Sequence, residues 1–390
     1  MVTIQTADNV LKSYYLDAMT EALDLKANPL LAKIGRSTAN VYGKDVRKAV
    51  RFGVNGGLGA GSEDGDLPEA SQGDYLQFVS TLKNLYGTIE ITDKAIRAAQ
   101  HNEGAFVNLL NEQMDSLVKS AKFNFGRMLY GDGSGLLATV VRDVEDGKIY
   151  VDSIKPFVEG MTVTFMADNA FLTNIGTRMI TYVNRDAKYI KVSGEQNLEG
   201  VVDVSVQIYG QVGKGDEITG LAAIFEDGGQ LYGVEKMKYG VMRPYKKRDV
   251  GEISENVIQT AMDKIEENSG GKVNFIVCSW GVKRALAEAY RKRNAVLPSM
   301  ELEGGFTAVS FNGIPVVADR FCPEGTMYLL NTDDFKIHQL CDWQWLEGED
   351  GKILKQIPGK PVYKATLVKY AELMCERPFG QGMLSGITEA

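Results

Sequence analysis

The first quarter of the chain alternates between apolar and polar positions in a pattern that predicts one long hairpin. Val46 to Phe52 alternates in steps of two, and Tyr75 to Leu82 carries the apolar positions of a returning strand. The connection between them is rich in glycine from Gly53 to Gly61 and then becomes acidic. A loop this long has no core of its own, so we interpret it as the tip of an arm.

Glycines 57, 59 and 61 raise the alternative of a phosphate-binding loop. Such a loop needs a helix that opens directly after the glycines, because the helix N-terminus faces the anion. Here Glu63, Asp64 and Asp66 follow without apolar periodicity, and their carboxylates would repel an anion. The arm interpretation is therefore favoured.

A helical pattern follows the hairpin and predicts the longest helix of the chain, from about Gly104 to Tyr130. Its apolar positions recur at spacings of three and four residues. They include Phe106, Leu110, Met114, Leu117, Ala121, Phe125 and Met128. At about 1.5 Å per residue the helix would be roughly 40 Å long. We expect that neither the hairpin nor this helix can bury itself within one subunit; the alternative, for packing, is that the helix is an ordinary core helix.

Residues 136–225 contain strand patterns and no helical pattern. The predicted strands include Lys148–Val151, Met161–Phe165, Met179–Val183, Tyr189–Val192 and Val201–Tyr209. Short strands at roughly ten-residue spacing favour a small barrel or sandwich, inserted between two regions that contain helices.

Mixed helices and strands are predicted from about residue 250 onwards. Ser254 is placed to cap a helix that ends at Gly270, and a second helix follows a buried strand. Asn312-Gly313 between two apolar runs is a strong hairpin signal. Ser279 lies between a strand and a helix, where the nucleophile of some hydrolases lies. Those hydrolases have a glycine two residues before the nucleophile, whereas position 277 here is Val, so we favour a helix N-cap.

Composition excludes several classes of function. The net charge of −8 and a pI near 5.1 argue against a tight nucleic-acid binder. No apolar run is long enough to predict a membrane span. His101 and His338 are the only histidines, and the four cysteines are scattered without a Cys-x-x-Cys pair. We therefore predict no catalytic or metal site and no cofactor; a hydrolase centred on Ser279 is kept as the alternative from another class.

Several segments, taken in order, resemble the major capsid proteins of tailed phages with the Hong Kong 97-type fold. The segments that carry the resemblance are Phe78–Asp93, Ser120–Asp132, Phe311–Asp319 and Cys322–Leu330. The resemblance implies an α+β chain with an N-terminal arm, an extended hairpin (E-loop), a peripheral domain with a long spine helix, and an axial domain. Here the β-rich block is an insertion.

On this basis the chain divides into an arm, a hairpin and alternating domains. The predicted ranges are 1–44 for the N-terminal arm, 45–92 for the hairpin, 93–135 for the peripheral domain with the spine helix, 136–225 for the inserted barrel-like domain, 226–250 for the peripheral domain, 251–364 for the axial domain and 365–390 for the return to the peripheral domain.

The resemblance implies a protein that forms hexamers and pentamers of an icosahedral head shell around a phage genome, without enzyme activity. The residues expected to matter are Arg51, Phe52, Gly53, Asn55, Gly57, Leu58, Gly59 and Leu67 at inter-subunit contacts, Phe106, Leu110, Met114, Leu117 and Phe125 in the spine helix, and Asn312, Gly313 and Pro315 in the axial hairpin. An encapsulin-like shell is the alternative within the same fold.

The resemblance also implies partners and a location. The expected partners are many copies of the chain itself, a portal protein, decoration proteins and packaged DNA contacted without sequence specificity. No long charged helical segment precedes the arm, so a separate scaffolding protein is expected. The expected location is the virion, after assembly in the host cytoplasm, with no contact to a membrane.

Overall fold

The computed structural model describes residues 28–53, 57–63, 66, 69, 73–99, 103–167, 170–172, 175–194, 198–211, 213–292, 299–302, 306–349 and 351–390. For residues 98–99 and 103–111 it describes the backbone alone. Residues 1–27 of the predicted N-terminal arm lie outside these residues, as does His101.

The secondary structure alternates short strands with a small number of helices. The strands of the N-terminal part are β1 (Gly35–Ser37), β2 (Val41–Tyr42), β3 (Asp45–Phe52), β4 (Asp74–Thr81) and β5 (Lys83–Thr92). Those of the middle part are β6 (Leu136–Glu145), β7 (Lys148–Val151), β8 (Thr162–Ala167), β9 (Ala170–Phe171), β10 (Arg178–Asn184), β11 (Tyr189–Val192) and β12 (Gln207–Gly210). Those of the C-terminal part are β13 (Gln230–Leu231), β14 (Val234–Glu235), β15 (Tyr245–Lys247), β16 (Phe275–Cys278), β17 (Ser299–Leu302), β18 (Phe306–Phe311), β19 (Ile314–Ala318), β20 (Met327–Leu330), β21 (Phe335–Trp345), β22 (Lys355–Gln356), β23 (Val362–Cys375) and β24 (Gly382–Leu384). The helices are α1 (Asp93–Ala99), α2 (Glu103–Met128), α3 (Leu221–Phe225), α4 (Glu255–Ser269) and α5 (Trp280–Lys292), with 3-10 turns at Leu31–Lys33, Gly240–Met242, Thr332–Asp334 and Pro378–Gly380.

The predicted long hairpin is present as β3 and β4. They pair antiparallel, from Asp45 opposite Thr81 to Phe52 opposite Asp74. Leu82 is the one residue between β4 and β5, and β5 then enters a different sheet. The hairpin is therefore an extension that leaves the body of the chain at the start of β5.

A sheet of long strands forms the body against which the long helix packs. Its central strand, β23, pairs antiparallel with β21 on one side and with β5 on the other. A Cβ atom at Gly87 of β5 would lie 2.9 Å from Leu117 Cδ1, so α2 approaches this sheet closely where glycine leaves room. α2 spans Glu103–Met128, close to the prediction.

The middle part of the chain is a closed barrel with a core of its own. Its strand order is β10-β11-β7-β6-β12-β8-β9, and pairing of β10 with β8 closes the sheet. The buried core includes Val140, Ile149, Phe157, Phe165, Ile190 and Ile208. The strand expected from Val201 is shorter, because Ser205 adopts a φ of 74° and turns precede Gln207. The block thus has the barrel-like form that the sequence predicts, and its standing as an inserted domain stays a prediction.

The C-terminal part forms a mixed sheet flanked by α4 and α5. Its strand order is β15-β24-β20-β16-β19-β18-β17. Ser254 caps α4 by accepting from the Val257 N–H, and Gly270 ends it with a φ of 62°. Asn312 and Gly313 both have positive φ, at 50° and 83°, as the tight turn between β18 and β19 requires.

The chain passes from one sheet to another at positions that differ from the predicted domain boundaries. The expected boundary between residues 364 and 365 falls inside β23, and the long-strand sheet already begins with β21 at Phe335. β24, in the segment expected to return to the peripheral domain, instead lies between β15 and β20. The reason is that alternation identifies a strand, whereas its sheet depends on partners far away in the chain.

Candidate assembly surfaces

The base of the long hairpin packs against its own chain. Val46 and Phe78 are fully buried, and the Phe78 ring lies 5.6 Å from the Tyr232 ring. The Val79 N–H donates to the Tyr232 carbonyl at 2.9 Å. The expectation that the hairpin is not buried within one subunit is therefore wrong for its base.

Towards the tip, contact with the rest of the chain decreases. Phe52 is half-buried and meets the Tyr239 ring edge-on at 5.6 Å, whereas Arg51 is exposed. Gly53 then leaves the strand with a φ of 76°, a conformation that a side chain would strain. Two further predicted contact residues, Asn55 and Leu67, lie outside the described residues.

Leu58 is the most exposed large apolar residue among those described, with 93% of its surface accessible. It lies between Gly57 and Gly59 in the segment beyond β3. Burying a leucine side chain stabilises a protein by about 1.5–3 kcal/mol, and the single chain does not gain this. The tip therefore presents an apolar side chain that a second surface could cover.

The described half of the spine helix packs inside its own subunit. Met114 and Phe125 are 2% and 4% exposed, and the Phe125 ring lies 6.3 Å from Trp343. Leu117 is half-buried over Gly87. The expectation that the helix is not buried within one subunit is therefore wrong for this half. The side chains of Phe106 and Leu110 lie outside the described part of the helix.

The axial hairpin is an exposed turn on a buried base. Asn312 is exposed, and its side-chain amide donates to Gln259 Oε1 at 3.0 Å. Pro315 is half-buried on β19 opposite Ser310. The turn is thus fixed by α4, and its role in contact with another copy stays a prediction.

Ser279 is a helix cap. Its Oγ accepts from the Val282 N–H at 3.4 Å and donates to the carboxylate of Glu389. The same carboxylate accepts from the Gly325 N–H at 2.7 Å. Burial raises the pKa of the adjacent Cys278 thiol to about 12, which keeps it protonated. The geometry favours the N-cap that the sequence predicts.

The described part of the chain offers few other groups for catalysis or metal binding. No group of three His, Cys, Asp or Glu side chains is arranged to hold a metal ion there. His338 is buried, with Nδ1 3.0 Å from the Ala39 carbonyl oxygen. No helix among the described residues is long and apolar enough to cross a membrane.

A buried ion pair fixes the barrel to the spine helix. Arg127, near the end of α2, makes two hydrogen bonds to Glu217, one of them 2.8 Å between Nη1 and Oε2. Both side chains are less than 10% exposed. A bidentate pair of this kind fixes orientation as well as distance, so the segment that follows the last barrel strand is held against the end of α2. The sequence gives no local signal for it, because the two residues are 90 positions apart.

A buried carboxylate joins the hairpin base to the same junction. Glu372 on β23 is fully buried and accepts from the Thr219 and Leu373 N–H groups at 2.7 and 3.0 Å. The Ser80 hydroxyl of β4 donates to its other oxygen at 3.4 Å. Burial raises the pKa of Glu372 to about 7, against the opposing effect of these donors.

A groove of about 730 Å³ lies between the spine helix, β5 and the barrel. Its lining mixes amides and hydroxyls with apolar side chains such as Leu117, Phe125 and Trp343; the polar members include Asn84, Gln113, Ser116, Ser120, Asn124 and Gln211. Such a lining suits the backbone of an extended segment, which presents N–H and carbonyl groups along its length.

The chain is similar to known proteins both in the sequence of one segment and in its overall fold. Residues 219–351, about a third of the chain, match the family model of the SU10 major capsid protein. The fold is similar to that in the capsid asymmetric unit of cyanophage A-1(L), with a TM-score of 0.55 and 12% identity over 97% of this chain and 95% of that chain. Over this third of its length the chain is thus similar to a phage major capsid protein, and its overall fold is that of a tailed-phage capsid subunit.

Other solved structures of similar topology are more distant. The holo-SrpI encapsulin complex of Synechococcus elongatus PCC 7942 gives a TM-score of 0.49 at 10% identity, over 93% of this chain and 88% of that chain. Mycobacterium phage Bobi gives 0.44 at 8% identity, over the full length of both chains. No curated protein matches this chain significantly.

Proposed function

We propose that copies of this capsid protein form hexamers and pentamers that close into an icosahedral shell around phage DNA, with the hairpin tip as the principal contact between neighbours. The observation that carries this proposal is Leu58, which is 93% exposed at the end of a hairpin whose base is anchored by Phe78. An apolar side chain held away from its own subunit gains stability when a neighbour covers it.

The strength of such a shell arises from repetition. A single tip contact contributes little, but each subunit makes several contacts at once, so that the effective affinity of the closed assembly far exceeds that of one contact. The groove beside the spine helix offers polar and apolar groups to an extended segment of a neighbour. In each contact of this type two different surfaces meet. The rotation that relates one subunit to the next must therefore close into a ring.

Further partners follow from the same proposal. A separate scaffolding protein sets the curvature, a portal protein occupies one vertex, decoration proteins bind the outer surface, and packaged DNA contacts the interior without sequence specificity. Assembly takes place in the host cytoplasm. The net charge of −8 supports weak contact with DNA, because an acidic protein attracts a polyanion little.

The test is an apolar-to-acidic substitution at the tip with a matched substitution elsewhere. Leu58→Asp should abolish closed particles when the protein is expressed with its scaffold, because a carboxylate cannot occupy an apolar contact. Val204→Asp changes an apolar side chain that is 52% exposed on the barrel, and it should leave assembly unchanged. Electron microscopy and sedimentation measure the particle yield, and thermal melting shows that both subunits remain folded.

Normal particles from the Leu58→Asp variant would show that the tip is not the principal contact. Loss of particles in both variants would mean that any new exposed charge disturbs assembly, and the tip would again lose its special role. Particles that contain protein cargo but no nucleic acid would favour the encapsulin-like alternative.

A further inference from the structure

The strand β5 has one edge without a partner strand. β5 pairs with β23 along its whole length, from Lys83 opposite Ala371 to Thr92 opposite Val362, and no other described strand pairs with it. In an antiparallel pair, alternate residues direct their N–H and carbonyl groups away from the partner strand. β5 therefore presents a row of main-chain donors and acceptors along its second edge, called the free edge below.

The free edge lacks the features that commonly keep an edge strand from pairing. Charged side chains, proline and bulges are the usual ones. Residues 84–89 contain neither a charged residue nor a proline, and the register with β23 continues through them without a bulge. Residues 84–89 can therefore accept a further strand of about six residues, roughly 20 Å long.

The free edge opens into the groove between α2 and the barrel. All of residues 84–89 line this groove, together with barrel residues 158–162. Leu117, Phe125 and Trp343 add apolar surface to the same lining. The groove thus offers an extended segment both main-chain hydrogen-bonding partners and apolar side chains.

The groove and the hollow that continues from it along α2 are acidic. Four exposed carboxylates line them, those of Glu112, Asp115, Glu159 and Asp216. Lys119 is the one cation among the described lining residues besides Arg127, which is already paired with Glu217. A segment that carries Lys or Arg side chains is therefore attracted, and an anionic segment is repelled.

The N-terminal residues and the long hairpin of a second copy do not carry this charge. Residues 1–27 include four acidic and two basic residues. Between Arg51 and Lys83 the sequence has no basic residue. Duplex DNA is a polyanion and is repelled by the same carboxylates. The charge of the groove therefore favours a different protein.

We propose that a basic, extended segment of a different protein adds a strand to the free edge of β5 in this groove. The inference rests on the proposed function in that it identifies the neighbour whose segment the groove takes. Main-chain hydrogen bonds to β5 supply affinity for many sequences. The carboxylates of the groove then select among these sequences by charge.

Three labelled octapeptides test the proposal on the unassembled full-length subunit. The first alternates Lys and Val, and the second alternates Glu and Val. The third alternates Lys and Pro, so that it keeps the positive charge but lacks the N–H groups that a ladder needs. Fluorescence anisotropy should show that the Lys–Val peptide binds at least about tenfold more tightly than either of the others.

Amide hydrogen exchange distinguishes strand addition from charge attraction alone. The Lys–Val peptide should slow exchange within residues 84–89, because outward-facing N–H groups of β5 become hydrogen-bonded. Binding without this protection would overturn the added strand. Equal binding by the Glu–Val peptide would overturn the selection by charge, and equal binding by the Lys–Pro peptide would overturn the ladder.

Charge reversal in the groove tests the same contact from the side of the protein. Glu159→Lys combined with Asp216→Lys should weaken binding of the Lys–Val peptide by about tenfold or more. The control combines Glu145→Lys with Asp186→Lys, which makes the same charge change at exposed barrel positions that do not line the groove. It should leave the affinity within about twofold of the wild type. Equal weakening in both variants would mean that net charge alone sets the affinity, and would overturn the site.

The peptide test and the assembly test can fail separately. Subunits that bind the Lys–Val peptide but form no shell with their scaffold would contradict the proposed function and leave the free edge as a binding site. Shells built from subunits that bind none of the peptides would overturn this inference alone. Loss of peptide binding as the subunit concentration rises would assign the free edge to a second copy of the chain, and would also overturn it.

Discussion

Replacing the buried Glu372 by Gln should make the subunit more stable at alkaline pH but change it little at acidic pH. The glutamine Oε1 keeps the bonds donated by Thr219 and Leu373, and its amide can donate to Ser80. The substitution therefore removes a titrating group while it preserves shape and hydrogen bonds.

The magnitude follows from the pKa. Burial raises the pKa of Glu372 to about 7 from an ordinary value of 4.5. The folded state thus holds its proton more tightly than the unfolded state does. This contribution to stability is complete below pH 4.5 and is lost as pH rises through 7. Above that pH the loss amounts to about 3 kcal/mol, because each pKa unit corresponds to 1.36 kcal/mol.

The assay is urea unfolding of the unassembled subunit at pH 5 and pH 8. The free energy of unfolding of the variant minus that of the wild type should be more positive at pH 8 than at pH 5, by up to about 3 kcal/mol. Other titrating groups are common to both proteins and cancel in this difference. The control is Glu90→Gln, because Glu90 is exposed on β5. It removes the same charge and should show no such pH dependence. An identical difference at both pH values for Glu372→Gln would refute the reasoning.

Four further outcomes are expected. Arg127→Met should destabilise the subunit by about 3–5 kcal/mol in urea unfolding, because it leaves the Glu217 carboxylate buried without a partner. Gly220→Ala should lower the melting temperature strongly, since its Cβ would lie 2.4 Å from the Met128 carbonyl oxygen. The segment 136–225 expressed alone should melt cooperatively, because the barrel has a separate core. Mature particles boiled in detergent should give a single band near 42.8 kDa, because the distal hairpin has no lysine to form isopeptide bonds.

Each of these outcomes has a clear contrary result. Arg127→Met with wild-type stability would mean that the ion pair is neutral overall, and the double variant with Glu217→Leu separates the two effects. Gly228→Ala, whose Cβ meets no atom within 4 Å and whose φ is not positive, serves as the control, because Gly220 has a φ of −93° and only the clash distinguishes it. A disordered 136–225 segment would mean that the barrel needs the Arg127 junction to fold. A ladder of boiling-resistant multimers would place the reactive lysine elsewhere.

The sequence predicts local structure well because its signals are local. The cap at Ser254, the stop at Gly270 and the turn at Asn312-Gly313 each depend on a few neighbouring residues, and all three are present. The alternation of the long hairpin also gives β3 and β4. These features need no knowledge of the rest of the chain.

Long-range features were missed for the same reason. Nothing around Gly382 indicates that it pairs with both β15 and β20. The Arg127–Glu217 pair and the buried Glu372 join segments that only the fold brings together. Of the candidate site, the hairpin and its exposed tip were predictable, whereas the burial of its base by Tyr232 was not.

The most direct test of the shell is electron cryo-microscopy of particles formed when the full chain is expressed with its scaffold. We predict closed icosahedral particles in which density for residues 53–73 continues from each subunit onto the surface of a neighbour and covers Leu58. Monomers or open aggregates under these conditions, or closed particles in which the hairpin folds back on its own subunit, would contradict the account.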